Sequence, residues 1–212
     1  ICSSHDAGAG GTGPNGNLFA VLPNGKLRIK TQDSGAGTNG DALNLGSNLN
    51  DNNWHHLVVT WQASTTNGRK IYIDGQLVHQ NNTGVSNAWR TTPQSLQYIG
   101  AMWNQADNRF HPGVWWDGEI ANFSLTNSIM TAQEVADDYA NNDPTPAPSL
   151  VAYNDAVIDG DTITLDGDGD YVVYDGPFRF SDQFTISTWF KSNGNMANLD
   201  TCLLYTSDAA DE

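Results

Sequence analysis

The chain has 212 residues, of which 24 are Asp or Glu and only 9 are Lys or Arg, so its formal net charge is -15. Such a surface repels nucleic acid and anionic membranes, because binding to phosphate groups requires clustered Lys and Arg side chains. Turn-forming residues are abundant and 7 residues are Trp, so the composition favours a packed all-β fold over a disordered chain.

Short hydrophobic runs separated by turn residues predict a series of β-strands in the first half of the chain. Asn24-Gly25 and Asp74-Gly75 each lie between two such runs, which is typical of tight hairpins, because the favoured turn needs positive φ at both central residues. The predicted strands of this half cover residues 18–22, 26–30, 54–61, 70–73, 76–78, 96–99 and 119–125.

One short helix is predicted near residues 131–140. Thr131 stands where an N-cap residue is expected and Glu134 follows three positions later, which is the spacing of a capping box. Met130 and Val135 stand where a hydrophobic staple would fix the start of the helix.

The pattern of strands begins again after a Pro-rich segment. Residues 143–149 are predicted to form a stiff linker, because proline restricts the backbone. The last strand alternates, so that Phe184, Ile186, Thr188 and Phe190 would share one face. The predicted strands of this half cover residues 157–158, 162–165, 171–174 and 184–190.

Residues 202–212 resemble the translation of a transposase-type sequencing adapter. We therefore expect an artefactual tail and leave it out of the predicted fold. Cys202 then carries no information and Cys2 is a lone thiol, so neither a zinc site nor a disulfide framework is predicted. The chain begins in what reads as the middle of a domain, so we expect a fragment of a multidomain protein.

The ordered series of strands resembles a laminin-G-like jelly-roll domain of the concanavalin A-like lectin/glucanase superfamily. Residues 1–142 resemble the second half of such a domain, and residues 150–201 resemble its first half. The resemblance implies an all-β fold, an antiparallel two-sheet jelly-roll sandwich with one short helix. The segments that carry it are WHHLVVTW at 54–61, IYIDGQLV at 71–78, YIG at 98–100, GEIANFSL at 118–125 and FTISTWF at 184–190.

The resemblance also implies two incomplete units. Residues 1–142 would be a laminin-G-like domain that lacks its first strands, and residues 150–201 would be the first half of a second one. Because sheets that lack strands expose unpaired edges, we predict that residues 150–201 fold back onto residues 1–142 and complete a permuted sandwich. Few or no backbone ladders between the two segments would contradict this hypothesis.

The glucanase signature of the superfamily is incomplete in this chain. Relatives with that activity carry Glu-x-Asp-x-x-Glu on one strand, which places carboxylates close enough to act as acid and nucleophile. The nearest stretch here contains Asp117 and Glu119, but Ala121 and Asn122 occupy the following positions. No Gly-x-Ser-x-Gly elbow occurs either. We therefore expect a protein that is not an enzyme.

Two groups of residues are candidate metal ligands. The Asp-rich segment 159–170 is dense enough to suggest calcium, but Asp-Gly pairs are also ordinary turn chemistry, which we favour. The resemblance leaves open whether a structural calcium ion binds at the rim of the sandwich, and no cofactor is assigned. His55 and His56 would point to opposite faces of one strand, so we expect a packed or hydrogen-bonded His56.

The loop at 101–118 carries the candidate ligand-binding residues. Ligand pockets combine apolar walls with a few polar groups, and three Trp residues with amide and carboxylate neighbours fit a sugar platform. Neighbouring side chains of an extended segment point to opposite faces, so one of Trp115 and Trp116 is expected to be exposed. The candidate residues are Trp103, Asn104, Asp107, Trp115, Trp116 and Asp117.

These observations predict a non-catalytic module of a secreted or cell-surface multidomain protein. Its partners would be a glycan or an extracellular protein, together with other domains of the same parent chain. Nucleic acid and membrane insertion are not expected, because basic clusters and long apolar runs are both missing from the sequence. The alternatives are a structural repeat or spacer of an adhesin-like protein and an accessory domain of a glycoside hydrolase.

Overall fold

The computed structural model describes residues 16–30, 43–46, 48–63, 65–81, 97–101, 103–104, 109–110, 115–141, 150–174, 183–193 and 201–207. Within these ranges the chain forms strands and one helix, which confirms the predicted all-β class. The strands are β1 (Gly16–Val21), β2 (Leu27–Lys30), β3 (Leu43–Leu45), β4 (Trp54–Gln62), β5 (Arg69–Ile73), β6 (Gln76–Gln80), β7 (Gln97–Ile99), β8 (Trp103–Asn104), β9 (Arg109–Phe110), β10 (Asp117–Thr126), β11 (Leu150–Tyr153), β12 (Val157–Asp159), β13 (Thr162–Asp166), β14 (Tyr171–Tyr174), β15 (Gln183–Ser192) and β16 (Thr201–Ser207), and the helix is α1 (Ala132–Asn141).

In the described part of the chain, two sheets of seven strands each form the body of the molecule. Sheet A has the order β11-β14-β7-β16-β1-β2-β3, and sheet B has the order β12-β13-β10-β15-β4-β5-β6. Their ladders are antiparallel. The predicted two-sheet jelly-roll sandwich is therefore confirmed. β8 and β9 form a separate two-stranded sheet.

The hydrophobic core lies between the two sheets. Phe184, Ile186 and Phe190 of β15 belong to it, as their alternation predicted. The ring of Phe184 stacks on Trp61 of β4 at 6.2 Å between centroids, which ties two central strands of sheet B together. Burial of side chains of this size contributes about 1.5–3 kcal/mol each, so strand alternation is the main source of the fold's stability.

The strands of residues 150–193 pair with those of residues 54–126 in both sheets. In sheet B, β10 lies between β13 and β15, and β15 pairs along its length with β4. In sheet A, β14 pairs with β7. These are the ladders that a permuted sandwich requires. The predicted linker at 143–149 lies outside the described residues.

β16 lies inside sheet A, where it pairs with β7 on one side and β1 on the other. The expectation that the fold would do without residues 202–212 is therefore wrong for residues 202–207, since their backbone joins two other strands. The resemblance to an adapter concerns the origin of this segment and stays a prediction.

The two predicted hairpins differ in their turns. At the second, both Asp74 and Gly75 have positive φ, 50° and 73°, as predicted. At the first, positive φ is recorded for Gly25 but not for Asn24, because Pro23 also belongs to the loop and the turn is not a two-residue turn centred on Asn24 and Gly25. The N–H of Leu22 donates to the carbonyl of Lys26 at 2.8 Å and closes a three-residue loop, a type in which a single left-handed glycine suffices.

Helix α1 begins at the predicted capping box. The N–H of Glu134 donates to Oγ1 of Thr131 at 3.2 Å, and the N–H of Thr131 donates to Oε2 of Glu134 at 2.6 Å. Val135 is fully buried against Val58 and Tyr72, with Met130 beside them. α1 therefore packs on the face of sheet B that points away from the core. No helix in the described ranges is long and apolar enough to cross a membrane.

Candidate functional site

The loop predicted to bind a ligand is divided between different parts of the structure. Trp103 and Asn104 form β8, whose backbone pairs with Phe110 and Arg109 of β9 in a ribbon outside both large sheets. Asp107 lies outside the described residues. β8 therefore lies outside both large sheets, whereas the end of the loop runs directly into β10 of sheet B.

Trp116 is a core residue, with 0% of its surface exposed. Its ring packs edge-on against Phe190 at 5.7 Å, and the backbone N–H of Trp116 donates to the backbone carbonyl of Gly100 at 2.8 Å. The prediction that Trp116 contributes to a ligand platform is therefore wrong, because a ring without exposed surface contacts no ligand from solvent. Its neighbour Trp115 is half-buried rather than exposed, so neither ring of the pair has the exposure that was predicted for one of them.

Asp117 is bound to the end of β15. Its Oδ1 accepts a hydrogen bond from Nδ2 of Asn193 at 2.7 Å, and its carbonyl accepts one from the N–H of Asn193 at 3.1 Å. A Cβ added at Gly167 would lie 2.9 Å from the Cβ of Asp117, so a larger residue there would push against this strand. Asp117 therefore fixes the local geometry of β10 rather than projecting alone into solvent.

The Asp-rich segment uses its carboxylates to hold turns. The buried carboxylate of Asp170 accepts the N–H of Asp155 at 2.9 Å and that of Asp166 at 3.1 Å. Burial is the largest influence on Asp170 and raises the pKa of its carboxyl above the ordinary value. In the described part of the chain, no group of three or more His, Cys, Asp or Glu side chains is arranged to hold a metal ion.

A buried polar cluster lies beneath α1, on the outer face of sheet B. His56 has 0% of its surface exposed, and its Nε2 lies 3.0 Å from Oδ2 of Asp138 and 3.1 Å from Oγ of Ser187. The hydroxyl of Ser187 also donates to Oδ2 of Asp138 at 2.7 Å. The expectation of a packed or hydrogen-bonded His56 is confirmed, although its partners on α1 and β15 were not predicted.

These three residue types meet without forming a hydrolytic triad. In a triad, the imidazole bridges the nucleophile and the carboxylate through its two different nitrogens. Here the same nitrogen of His56 faces both groups, and its Nδ1 has no hydrogen-bond partner among the described residues. The hydroxyl proton of Ser187 points to the carboxylate of Asp138 and not to the imidazole of His56. Because Asp138 lies on α1, these hydrogen bonds hold the helix on sheet B, and we call the cluster the clamp.

The clamp also explains the charge state of Asp138. Burial would raise the pKa of this carboxyl, but the hydrogen bonds from His56 and Ser187 outweigh burial and hold the pKa below its ordinary value. Tyr139 stacks on Trp189 at 5.5 Å beside it, and His56 lies 4.9 Å from the same indole. The aromatic and polar groups of this face therefore contact one another.

Three tyrosines form an aromatic row on the outer face of sheet A, which we call the tyrosine ladder. Tyr153 of β11 and Tyr171 of β14 are direct cross-strand partners, and their rings stack at 4.8 Å with 4° between their planes. Tyr98 of β7 contacts Tyr171 at 6.1 Å with its ring turned by 66°. The row spans three neighbouring strands and alternates with Ile99 and Val172, which point into the core.

Exposure increases along the ladder toward the edge of the sheet. Tyr98 is buried, Tyr171 is half-buried and Tyr153 is 42% exposed. β11 is the terminal strand of sheet A within the described ranges, so no described strand flanks the face of Tyr153 that is turned away from Tyr171. A flat aromatic face is thus available to solvent at this edge.

The hydroxyl groups of Tyr98 and Tyr171 stay protonated at ordinary pH. Burial, together with the neighbouring Tyr171 and Tyr153, raises the pKa of Tyr98 to about 12. Burial also raises the pKa of Tyr171. Each hydroxyl can therefore donate a hydrogen bond as well as accept one.

Polar residues occupy the two turns that adjoin the exposed end of the ladder in the chain. Asn154 follows Tyr153 directly, and its Nδ2 donates to the carbonyl of Gly169, which draws two turns together. The side chains of Asp155 and Asp168 in these turns are exposed. An aromatic face next to turns with carboxylate acceptors is the combination that was predicted for the loop at 101–118.

Sequence reasoning missed the ladder because its members are far apart in the chain. Tyr98 and Tyr171 become neighbours only through the pairing of β7 with β14. The available signal was weak: Tyr153, Tyr171 and Tyr98 each stand in a short apolar run, where tyrosine is common in any β-strand.

Comparison with known proteins gives one match. A family model described as the concanavalin A-like lectin/glucanases superfamily matches residues 3–136. No curated protein and no solved structure matches significantly. The matched range includes β1 to β10 and the start of α1, whereas β11 to β16 follow it.

Proposed function

Because the chain belongs to the concanavalin A-like lectin/glucanase superfamily as a laminin-G-like jelly-roll domain, we propose that it is a non-catalytic recognition module that binds a glycan on the tyrosine ladder. The observation that carries the proposal is the stacked pair of Tyr153 and Tyr171 at an open edge of sheet A. A domain of this family is often a carbohydrate- or protein-binding unit, and the ladder favours carbohydrate.

The chemistry of a sugar ring suits this surface. One face of a pyranose presents C–H groups that pack on a flat aromatic ring, while its hydroxyls bond to carboxylates and amides. Tyr153 offers the ring, and Asp155 and Asp168 offer exposed acceptors. Because Tyr153 is already stacked on Tyr171, little side-chain freedom remains to be lost when a ligand binds.

The charge of the chain restricts the kind of glycan. With a net charge of -15 and two Asp residues near Tyr153, the surface repels sulfated glycans and uronic acids. Neutral sugars and amino sugars are not repelled. We therefore propose neutral or cationic glycans as the ligand class.

The side chains that could support hydrolysis are engaged elsewhere. Glu119 accepts a hydrogen bond from Nζ of Lys191 at 3.1 Å and lacks acidic neighbours at positions 121 and 122. Ser187 and Asp138 belong to the clamp under α1. These contacts support a binding role over an enzymatic one, in the setting of a secreted or cell-surface multidomain protein.

A glycan array probed with the full chain tests the proposal. We expect binding to neutral or amino-sugar glycans that weakens at least about tenfold in Tyr153→Ala, because an exposed aromatic anchor is removed. Trp54→Ala is the matched control, since Trp54 is an aromatic residue of similar exposure, 38%, on the other sheet. Its affinity should stay within about twofold of the parent chain.

Two outcomes would contradict the proposal. Absence of binding to any neutral or cationic glycan would favour the alternative of a structural spacer. Binding that survives Tyr153→Ala would place the glycan elsewhere on the domain.

A further inference from the structure

Strand β12 presents apolar side chains to solvent at one edge of sheet B. Val157 is 55% exposed, the highest value among the large hydrophobic residues of the described ranges, and Ile158 is 37% exposed. The only ladder partner of β12 within these ranges is β13. An edge strand with exposed apolar side chains is a template for pairing with another chain.

The hydrophobic core opens to solvent along this edge. Ile158 lies opposite Ile163, which is a core residue with 1% exposure, so both side chains point to the inner face of sheet B. Ile158 nevertheless keeps 37% of its surface exposed. A further strand beside β12 would cover Ile158 and extend the core.

The backbone of β12 can receive such a strand. Gly160 and Asp161 form a two-residue turn closed by Asp159 and Thr162, with φ of 57° at Gly160. The closing pair of a turn of this length is hydrogen-bonded, and hydrogen-bonded pairs alternate with non-hydrogen-bonded ones. The N–H and C=O of Ile158 therefore point away from β13, toward the open edge.

Charge identifies the kind of partner. Residues 110–178 contain 13 Asp or Glu and no Lys or Arg. Asp159 in β12 is exposed, as are Asp155 before the strand and Asp161 after it. A second copy of this chain would bring the same negative charge to the edge, so self-pairing is disfavoured and cationic side chains are favoured.

We infer that the edge of β12 binds an extended cationic segment of a partner protein, which adds to sheet B as a further strand. Its inward side chains are apolar and cover Ile158, and its outward side chains are Lys or Arg and face Asp159. Backbone addition supplies affinity, and the alternating side chains supply specificity. This surface does not involve the rings of the tyrosine ladder.

A labelled peptide tests this inference on the full chain. The probe is a capped eight-residue peptide that alternates Val with Lys, and its control alternates Val with Glu. We expect fluorescence anisotropy to detect binding of the Lys peptide, at least about tenfold weaker binding of the Glu peptide, and loss of affinity in about 0.5 M salt.

The opposite edge of sheet B supplies a matched control. Val157→Lys should weaken binding of the Lys peptide about tenfold, because a cation is placed on the edge strand itself. Leu77→Lys makes the same change on β6, where Leu77 is 49% exposed, and should leave the affinity within about twofold. Asp159→Asn, a small change at an exposed site, should weaken binding about threefold.

Three results would overturn the inference. The first is equal binding of the Lys and Glu peptides. The second is unchanged affinity in both Val157→Lys and Asp159→Asn. The third is a dimer of the chain, detected by sedimentation, that Val157→Lys dissociates, because the occupant of the edge would then be a second copy.

Discussion

Helix α1 covers the outer face of sheet B, whereas the outer face of sheet A keeps aromatic side chains in contact with solvent. Under the helix, His56 is fully buried and Trp189 is stacked on Tyr139. On sheet A, the ladder ends in Tyr153, which is 42% exposed. Aromatic residues on a covered face contribute to stability, while those on an open face are available to a ligand. Substitutions on the two faces should therefore separate stability from binding.

Breaking the clamp under α1 should have the largest effect on stability. His56→Ala removes a buried ring that packs on Trp189 and leaves Asp138 with one of its two side-chain partners. We expect the free energy of unfolding to fall by about 3 kcal/mol in urea denaturation. Glycan affinity, measured on the folded fraction, should not change, because the ladder lies on the other sheet.

Tyr153→Ala should have the opposite effect, a large loss of glycan affinity with a small loss of stability. It removes an exposed ring and one stacking contact, which lowers the free energy of unfolding by about 1 kcal/mol. If this variant lost as much stability as His56→Ala, the ladder would be a structural element like the clamp, and the distinction between the two faces would fail.

A pair of glycines tests how closely α1 covers its sheet. Gly75 and Gly160 both have positive φ, so alanine strains the backbone at either position. An added Cβ at Gly75 would lie 3.0 Å from the ring of Tyr139, whereas one at Gly160 would have no described residue within 4 Å other than its chain neighbours. We expect Gly75→Ala to destabilise the fold by about 1 kcal/mol more than Gly160→Ala in the same urea measurement. Equal losses would mean that Tyr139 moves freely and α1 covers the sheet loosely.

Local sequence signals were sufficient for much of the fold. The alternation of Phe184, Ile186 and Phe190 identified the core face of β15, and the capping box of Thr131 and Glu134 identified the start of α1. Each signal lies within a few residues of the chain. The physical causes, side-chain burial and the unpaired N–H groups of a helix start, act over the same short distance.

The candidate sites could not be predicted in this way, because they depend on which strands become neighbours. Ser187 reaches His56 across 131 positions of the chain, and Asp138 reaches it across 82. Trp116 was assigned to a ligand platform because polar residues accompany the Trp residues of its loop. It directly precedes β10, however, and the pairing of β10 with β15 brings its ring against Phe190. Composition predicts an aromatic site, but only the pairing of strands decides which rings remain exposed.

The smallest predicted effect is a dependence of folding stability on pH. It arises from His55, which lies on β4 of sheet B. Nδ1 of His55 lies 3.0 Å from Asp74 and its Nε2 lies 3.2 Å from Asp51. The hydrogen bond to Asp74, followed by the attraction of both carboxylates, raises the pKa of His55 above the ordinary value of 6.5 despite partial burial. Since folding favours the protonated form, the stabilisation is fully present below pH 6.5 and is lost as the pH rises through the folded-state pKa.

Thermal unfolding of the parent chain and of His55→Gln checks this prediction. The melting temperature of the parent should fall by a few degrees more than that of the variant between about pH 5.5 and about pH 8. Glycan affinity should stay constant over the same range, because His55 lies on β4 of sheet B and the tyrosine ladder lies on sheet A. Parallel melting curves for the two proteins would show that His55 does not couple protons to folding. A glycan affinity that followed the titration would mean that the ligand contacts the His55 end of β4, and the separation of the two faces would have to be abandoned.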